Sequence, residues 1–193
     1  MRGTLATPGE VLDFWFGQPA ASTPRAEWFR KDPDFDALIQ SRFGATLDAA
    51  LTGQLRDWTL SNEGTLALIV VLDQFTRNTR RDTPGAFAGD AAALALAQAL
   101  VASGGHHQLL PLQRWFAYLP FEHAEDMPAQ RQSMQLFTGL AAQHPALADA
   151  TVWAQKHHDV VARFGRYPHR NAILMRASTP EEVAFLSEPG SSF

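Results

Sequence analysis

The sequence predicts an all-α fold, on three observations. Apolar residues recur at helical spacing in nearly every segment, and no stretch alternates with the period of two that marks a strand. Five Thr-Pro or Asp-Pro pairs punctuate the chain where helices would start, the first residue capping and proline taking the first helical position without losing a needed hydrogen bond. About eight or nine helices joined by short loops follow, packed as antiparallel neighbours in a single domain spanning 1–193, with 188–193 as a frayed tail.

Thr7-Pro8-Gly9-Glu10 reads as a capping box opening a short helix with Val11, Leu12, Trp15 and Phe16 on its apolar side and Gly17 as its stop. Thr23-Pro24 is expected to start a second segment holding Trp28 and Phe29. Asp32-Pro33 starts the clearest amphipathic helix, with Phe35, Leu38, Ile39, Phe43, Leu47, Ala50 and Leu51 in register and Gly53 at its end. Leu66 to Leu72 is apolar on every face, so periodicity leaves buried helix and buried strand both open. Helix is chosen because the run continues into Asp73-Gln74-Phe75 and no other segment offers a strand partner.

Thr83-Pro84 precedes a turn, and Asp90 begins an alanine-rich helix closed by Gly104-Gly105, with His106 and His107 expected in an exposed loop beyond it. Pro111 begins a helix with Leu112, Trp115, Phe116 and Leu119 inward, which Pro120 kinks or ends. Pro128 and Pro145 open two more. The second carries Trp153, His157, Val160, Val161 and Phe164 in one apolar stripe, placing a histidine inside a buried face. Thr179-Pro180 begins a last short helix.

Composition removes several function classes. The chain has 193 residues, enough for one sizeable core, and 46% are hydrophobic against 19% charged, which argues against disorder. A net charge of -4 gives no basic field for a polyanion, so no nucleic-acid partner is expected. With no cysteine, disulfides, thiolate nucleophiles and Cys-ligated metals are excluded. No cationic leader followed by an apolar run opens the chain, and Leu66 to Leu72 is far shorter than the roughly 20 residues a membrane helix needs. A soluble cytoplasmic protein without a membrane partner is the expectation. Glycine loops for phosphate or dinucleotide are absent and Ser61, Ser133 and Ser178 stand in no nucleophile motif, so no cofactor is expected.

Four ordered blocks resemble the bacterial domain-of-unknown-function 924 family: Val11-Leu-Asp-Phe-Trp-Phe-Gly17, Leu68-Ile-Val-Val-Leu-Asp-Gln-Phe-Thr-Arg-Asn78, Tyr118-Leu-Pro-Phe-Glu-His-Ala-Glu-Asp126 and Arg163-Phe-Gly-Arg-Tyr-Pro-His-Arg-Asn171. The resemblance spans nearly the whole chain. It implies an irregular α-α superhelix of the tetratricopeptide-like type and brings no activity with it. Two positions depart from the family's pattern. Thr76 stands where proline is usual, which lets the preceding helix run on, and Arg80 stands where an aromatic ring is usual.

Polar residues concentrate in three places. Asp73 ends a buried apolar run, where a carboxylate needs a cation or several donors, and Arg77 four residues on is the nearest partner. A site carboxylate and a structural ion pair both fit that spacing. Glu122, Glu125 and Asp126 would share one face of a helix with His123 beside them, yet their spacing matches no metal motif and no metal is assigned. Between Trp153 and Arg176, Lys156, Arg163, Arg166, Arg170 and Arg176 stand against Asp159 alone, and guanidinium holds carboxylate or phosphate by paired hydrogen bonds.

The reading favoured is a polar pocket with Asp73, Glu122 and His157 as floor and Arg77, Asn78, Arg163, Arg166, His169, Arg170 and Asn171 as rim, holding a small anionic molecule or an acidic peptide end. As an enzyme, most plainly a hydrolase, Glu122 or Asp126 would act as general base, His157 as proton carrier, and Arg166 or Arg170 would stabilise the developing anion. A third reading gives the network no ligand, only the task of pinning helix ends in an interaction scaffold.

Overall fold

Every regular element among the described residues, 4–191 of this computed structural model, is helical, and none of them forms a strand. The chain divides into two compact units. The first runs through Arg81 and resumes over Gly85–Pro120; the second holds Asp82–Pro84 and the chain from Phe121 onward.

In the first unit, helix α1 (Pro8–Phe16) starts with the expected capping box between Thr7 and Glu10 and buries Val11, Trp15 and Phe16. Thr23-Pro24 starts no helix; a single 3-10 turn forms later, over Ala26–Trp28. The open carbonyls at the end of α1 account for this. Arg25 Nη1 donates to the Phe14 carbonyl (2.9 Å) and the Trp15 carbonyl (2.8 Å), and Trp28 Nε1 donates to Trp15 (3.0 Å), tying the segment back onto α1. Trp28 is buried, whereas Phe29 is 60% exposed.

Helix α2 (Pro33–Leu51) is capped by Asp32, which accepts from the amides of Asp34 and Phe35. Its buried stripe keeps Ile39, Phe43, Leu47 and Ala50 but leaves Leu38 largely exposed. The apolar run is helical: α3 (Asn62–Ile69) passes into a π-helix over Val70–Phe75 and then into α4 (Thr76–Thr79). The helix does run on through Thr76, whose hydroxyl donates back to the Leu72 carbonyl (2.8 Å), and everything from Gly64 to Thr76 is buried. Helices α1 and α5 (Asp90–Ala102) pack on α3, α2 packs on the π-helix and α4, and α5 also reaches the π-helix. Glycine is required at Gly89, because a Cβ there would lie 2.1 Å from the Leu72 carbonyl oxygen. Trp15 lies at the centre of the aromatic cluster, against Trp28, Phe35, Phe75 and Phe116.

By length and composition alone the segment Pro84–Ala102 could cross a membrane. In this fold its helical part, α5, turns Ala93, Ala97 and Leu100 inward onto α3. His106 departs from the exposed loop expected of it. It lies buried in a 3-10 turn over Gly105–Gln108 with its ring 3.9 Å from that of His107, and burial lowers its pKa.

Helix α6 (Pro111–His123) contains Pro120 without ending there, and the division between the units falls directly after that residue. The second unit pairs α7 (Met127–Gln143) with α8 (Asp149–Phe164) and adds α9 (Pro180–Leu186), opened by a capping box between Thr179 and Glu182. Val160, Val161 and Tyr167 form a core patch with Met127, Phe164 and Phe185 around it. Two expectations fail here. Trp153 is 46% exposed, with the Lys156 ammonium 4.2 Å above its ring, and Ala150 and Ala154 take the inward places of the α8 stripe. At the other end Ser191 is buried and its hydroxyl donates to the Leu186 carbonyl, so the tail is anchored through that residue; 192–193 lie outside the described residues.

Candidate functional site

Helix α8 ends where Gly165 adopts φ 71° and its amide closes on the Val161 carbonyl (2.8 Å), turning the chain into the segment that carries Arg166, Tyr167, His169, Arg170 and Asn171. Opposite lies the last turn of α6, with Glu122 and His123. Glu122 is 3% and His157 7% exposed, and His157 Nδ1 stands 3.2 Å from Glu122 Oε1 and 2.9 Å from the Trp153 carbonyl. Both neighbours of Nδ1 are acceptors, so Nδ1 carries the hydrogen and the lone pair belongs to Nε2. Burial, and then the charge of His123, push the His157 pKa down to about 3, leaving the ring neutral at ordinary pH. The His123 ring is 6.2 Å and the Tyr167 ring 5.6 Å from that of His157, and the Arg170 guanidinium lies 4.5 Å above Tyr167 with Nη2 donating to the His123 carbonyl.

A second group of contacts surrounds this pair. Arg176 grips both oxygens of Glu125 (2.6 and 2.8 Å), and the Tyr167 amide donates to the same carboxylate. Burial raises the Glu125 pKa, but these donors and the charges of Arg176 and Arg170 outweigh it and hold the group below its ordinary value. Arg166 takes both oxygens of Glu182 (2.7 and 2.8 Å), and Asn171 Nδ2 donates to Glu182 as well. The hydrogen bonds from Arg166 dominate in pulling the Glu182 pKa to about 2.

That shift fixes a pH dependence. The unfolded chain takes up a proton on Glu182 near 4.5, whereas the folded one resists until about 2, so the stability this carboxylate contributes is complete above 4.5 and is lost as pH falls between these values. In denaturant titrations across that window, wild-type stability should fall more steeply than that of Glu182→Gln. Equal slopes would contradict the assignment.

Residues singled out in the sequence are distributed as follows. Glu122, His123, Glu125, His157, His169, Arg170 and Asn171 belong to the second unit's network just described, whereas Asp73, Arg77 and Asn78 belong to one in the first unit. There Asp73, 1% exposed, accepts from Gln74 Nε2 (2.6 Å) and Arg77 Nη1 (3.1 Å), while Arg77 also holds both oxygens of Asp90 (2.9 and 3.1 Å). Asn78 donates to Asp36, which Arg81 also engages, and Arg80 pairs with Asp48 at 2.9 Å.

The three carboxylates expected on one helical face do not share it. Helix α6 ends at His123, and Asp126 caps α7 by accepting from the Ala129 amide (3.0 Å), so it holds a helix start. The guanidinium surplus is smaller than the charge count suggests: Arg166 and Arg176 have their own carboxylates, whereas Arg163 lies over the rings of Phe164 and Phe185. Among the described residues no group of three or more His, Asp or Glu stands ready to hold a metal ion.

Sequence reading missed Gln130, Tyr167 and Glu182. All three are buried and central: Gln130 Nε2 lies 2.7 Å from the carbonyls of Glu122 and Ala124 and 2.8 Å from the Tyr167 hydroxyl, which itself donates to the Glu122 carbonyl. For Glu182 a signal existed, since a Glu three residues after a capping Thr can face backward as well as cap.

An all-helical chain with a buried carboxylate–imidazole pair and separate arginine–carboxylate clamps is the class of protein these units define. Residues 11–190 match the model of the family described as bacterial protein of unknown function (DUF924), and the chain belongs to that family. A solved structure from Agrobacterium tumefaciens, the protein of unknown function ATU0120, is similar at 37% identity with a TM-score of 0.83, over 93% of this chain and 96% of that one. No curated protein matches.

Proposed function

We propose that the second unit carries an acid–base site in which Glu122 is the general base and His157 its proton carrier, acting on a small molecule with an anionic group in a hydrolysis. The observation that supports it is the pairing of His157 Nδ1 with Glu122 Oε1 at 3.2 Å, both side chains being out of water. A low imidazole pKa suits a carrier rather than a reservoir. Water gives its proton to Nε2 as its oxygen attacks while the Nδ1 proton passes to Glu122; the Nε2 proton then goes to the leaving group as Glu122 returns its proton to Nδ1, which restores both side chains.

The anion-stabilising role falls to Arg170, because Arg166 is taken up by Glu182. Arg170 is buried, fixed by the Tyr167 face and the His123 carbonyl, and so already oriented for the charge that develops. His169 and Asn171 lie on the same segment as Arg170.

A hydrolase panel of anionic small molecules tests the reading. Turnover should appear with the wild type and fall by about a hundredfold or more in Glu122→Gln, whose circular dichroism should match the wild type. A full panel without turnover, or equal turnover in Glu122→Gln, would sink it.

A further inference from the structure

The carboxylate of Glu122 can meet His157 only if the end of α6 is held still, and a helix end leaves its last carbonyls without intrahelical partners. Helix α6 stops at His123, and α7 begins at Met127. Two fully buried side chains from elsewhere in the second unit converge on the Glu122 carbonyl. Gln130, from the first turns of α7, brings Nε2 to 2.7 Å of it and to 2.7 Å of the Ala124 carbonyl. Tyr167, from the segment after α8, donates its hydroxyl to the same oxygen and accepts from Gln130 (2.8 Å). The Tyr167 ring also faces the His157 ring, 5.6 Å away, so one phenol touches both members of the pair.

We infer that Gln130 and Tyr167 are positioning residues: together they clamp the Glu122 backbone and thereby set the distance between its carboxylate and His157. This rests on the acid–base reading for its catalytic consequence but not for its geometry. The clamp acts through the peptide group, so neither residue needs to reach the substrate.

The test is a double-mutant cycle read by 15N NMR of the His157 ring nitrogens in the full chain. Tyr167→Phe removes the hydroxyl alone and should move the Nδ1 resonance; in a Glu122→Ala background the same substitution should move it far less, because the coupling passes through Glu122. Gln130→Met, which keeps volume, should behave like Tyr167→Phe and serves if that variant folds poorly. Ser133→Ala is the control, since Ser133 is buried one turn along the same face of α7 and its hydroxyl has no hydrogen-bond partner, so its loss should leave Nδ1 unmoved. An equal shift in both backgrounds, or none in either, overturns the clamp. Turnover is a separate arm: kcat should fall roughly tenfold in Tyr167→Phe with KM unchanged. A wild type without turnover removes the acid–base reading and leaves the NMR cycle to decide the clamp by itself.

Discussion

Asp73→Ala should lower the unfolding free energy by about 3–5 kcal/mol. The side chain is 1% exposed and receives Gln74 Nε2 and Arg77 Nη1, so its removal takes an acceptor from two polar groups in the first unit. Arg77 keeps Asp90, which places the cost toward the lower end. Asp73 lies within the π-helix, in a wholly buried run. Asp48→Ala is the contrast, because the Asp48 side chain is 74% exposed in its pair with Arg80 and should change stability by no more than about 0.5 kcal/mol. Urea titrations should show a lower midpoint for Asp73→Ala with the slope unchanged. Equal midpoints for the two variants would contradict a buried network.

Trp15→Ala should cost a similar amount, about 3–5 kcal/mol, by opening a cavity among Trp28, Phe35, Phe75 and Phe116. Trp15→Phe is the more informative substitution. The Trp15 Nε1 is buried without a hydrogen-bond partner, so the wild type carries an unsatisfied donor. Removing that donor offsets part of the lost packing, and Trp15→Phe should be far milder than Trp15→Ala. If the two unfold at the same denaturant concentration, the indole N–H is satisfied in solution and the cluster is packed differently.

Where a signal is local, the sequence carried it. Thr7 with Glu10, Asp32 with Pro33 and Thr179 with Glu182 are caps because their side chains reach amides two or three residues away, a distance the sequence itself displays. The same local rule holds at Asp126, two residues before Pro128, whose side chain reaches the Ala129 amide. The Glu122–His157 pair was legible in part, since a histidine in an apolar stripe and a carboxylate near a buried helix end both need partners.

What the sequence did not display is nonlocal. Counting charges between Trp153 and Arg176 omits Glu125 and Glu182, which lie on either side of that window, and omits the rings that Lys156, Arg163 and Arg170 cover. Gln130 lies 37 residues from Tyr167 in sequence, and neither residue type announces that it will close a helix end. The π-helix, on which α2 and α5 pack, has no propensity of its own to read in the sequence.

One measurement bears on the centre of this account: a pH titration of the His157 ring by 15N NMR. Burial predicts a ring that stays neutral as pH passes through 6.5 and titrates only near 3, and the pairing with the Trp153 carbonyl and Glu122 predicts that its hydrogen is on Nδ1. A ring that protonates near 6.5, or that carries its hydrogen on Nε2, would contradict it.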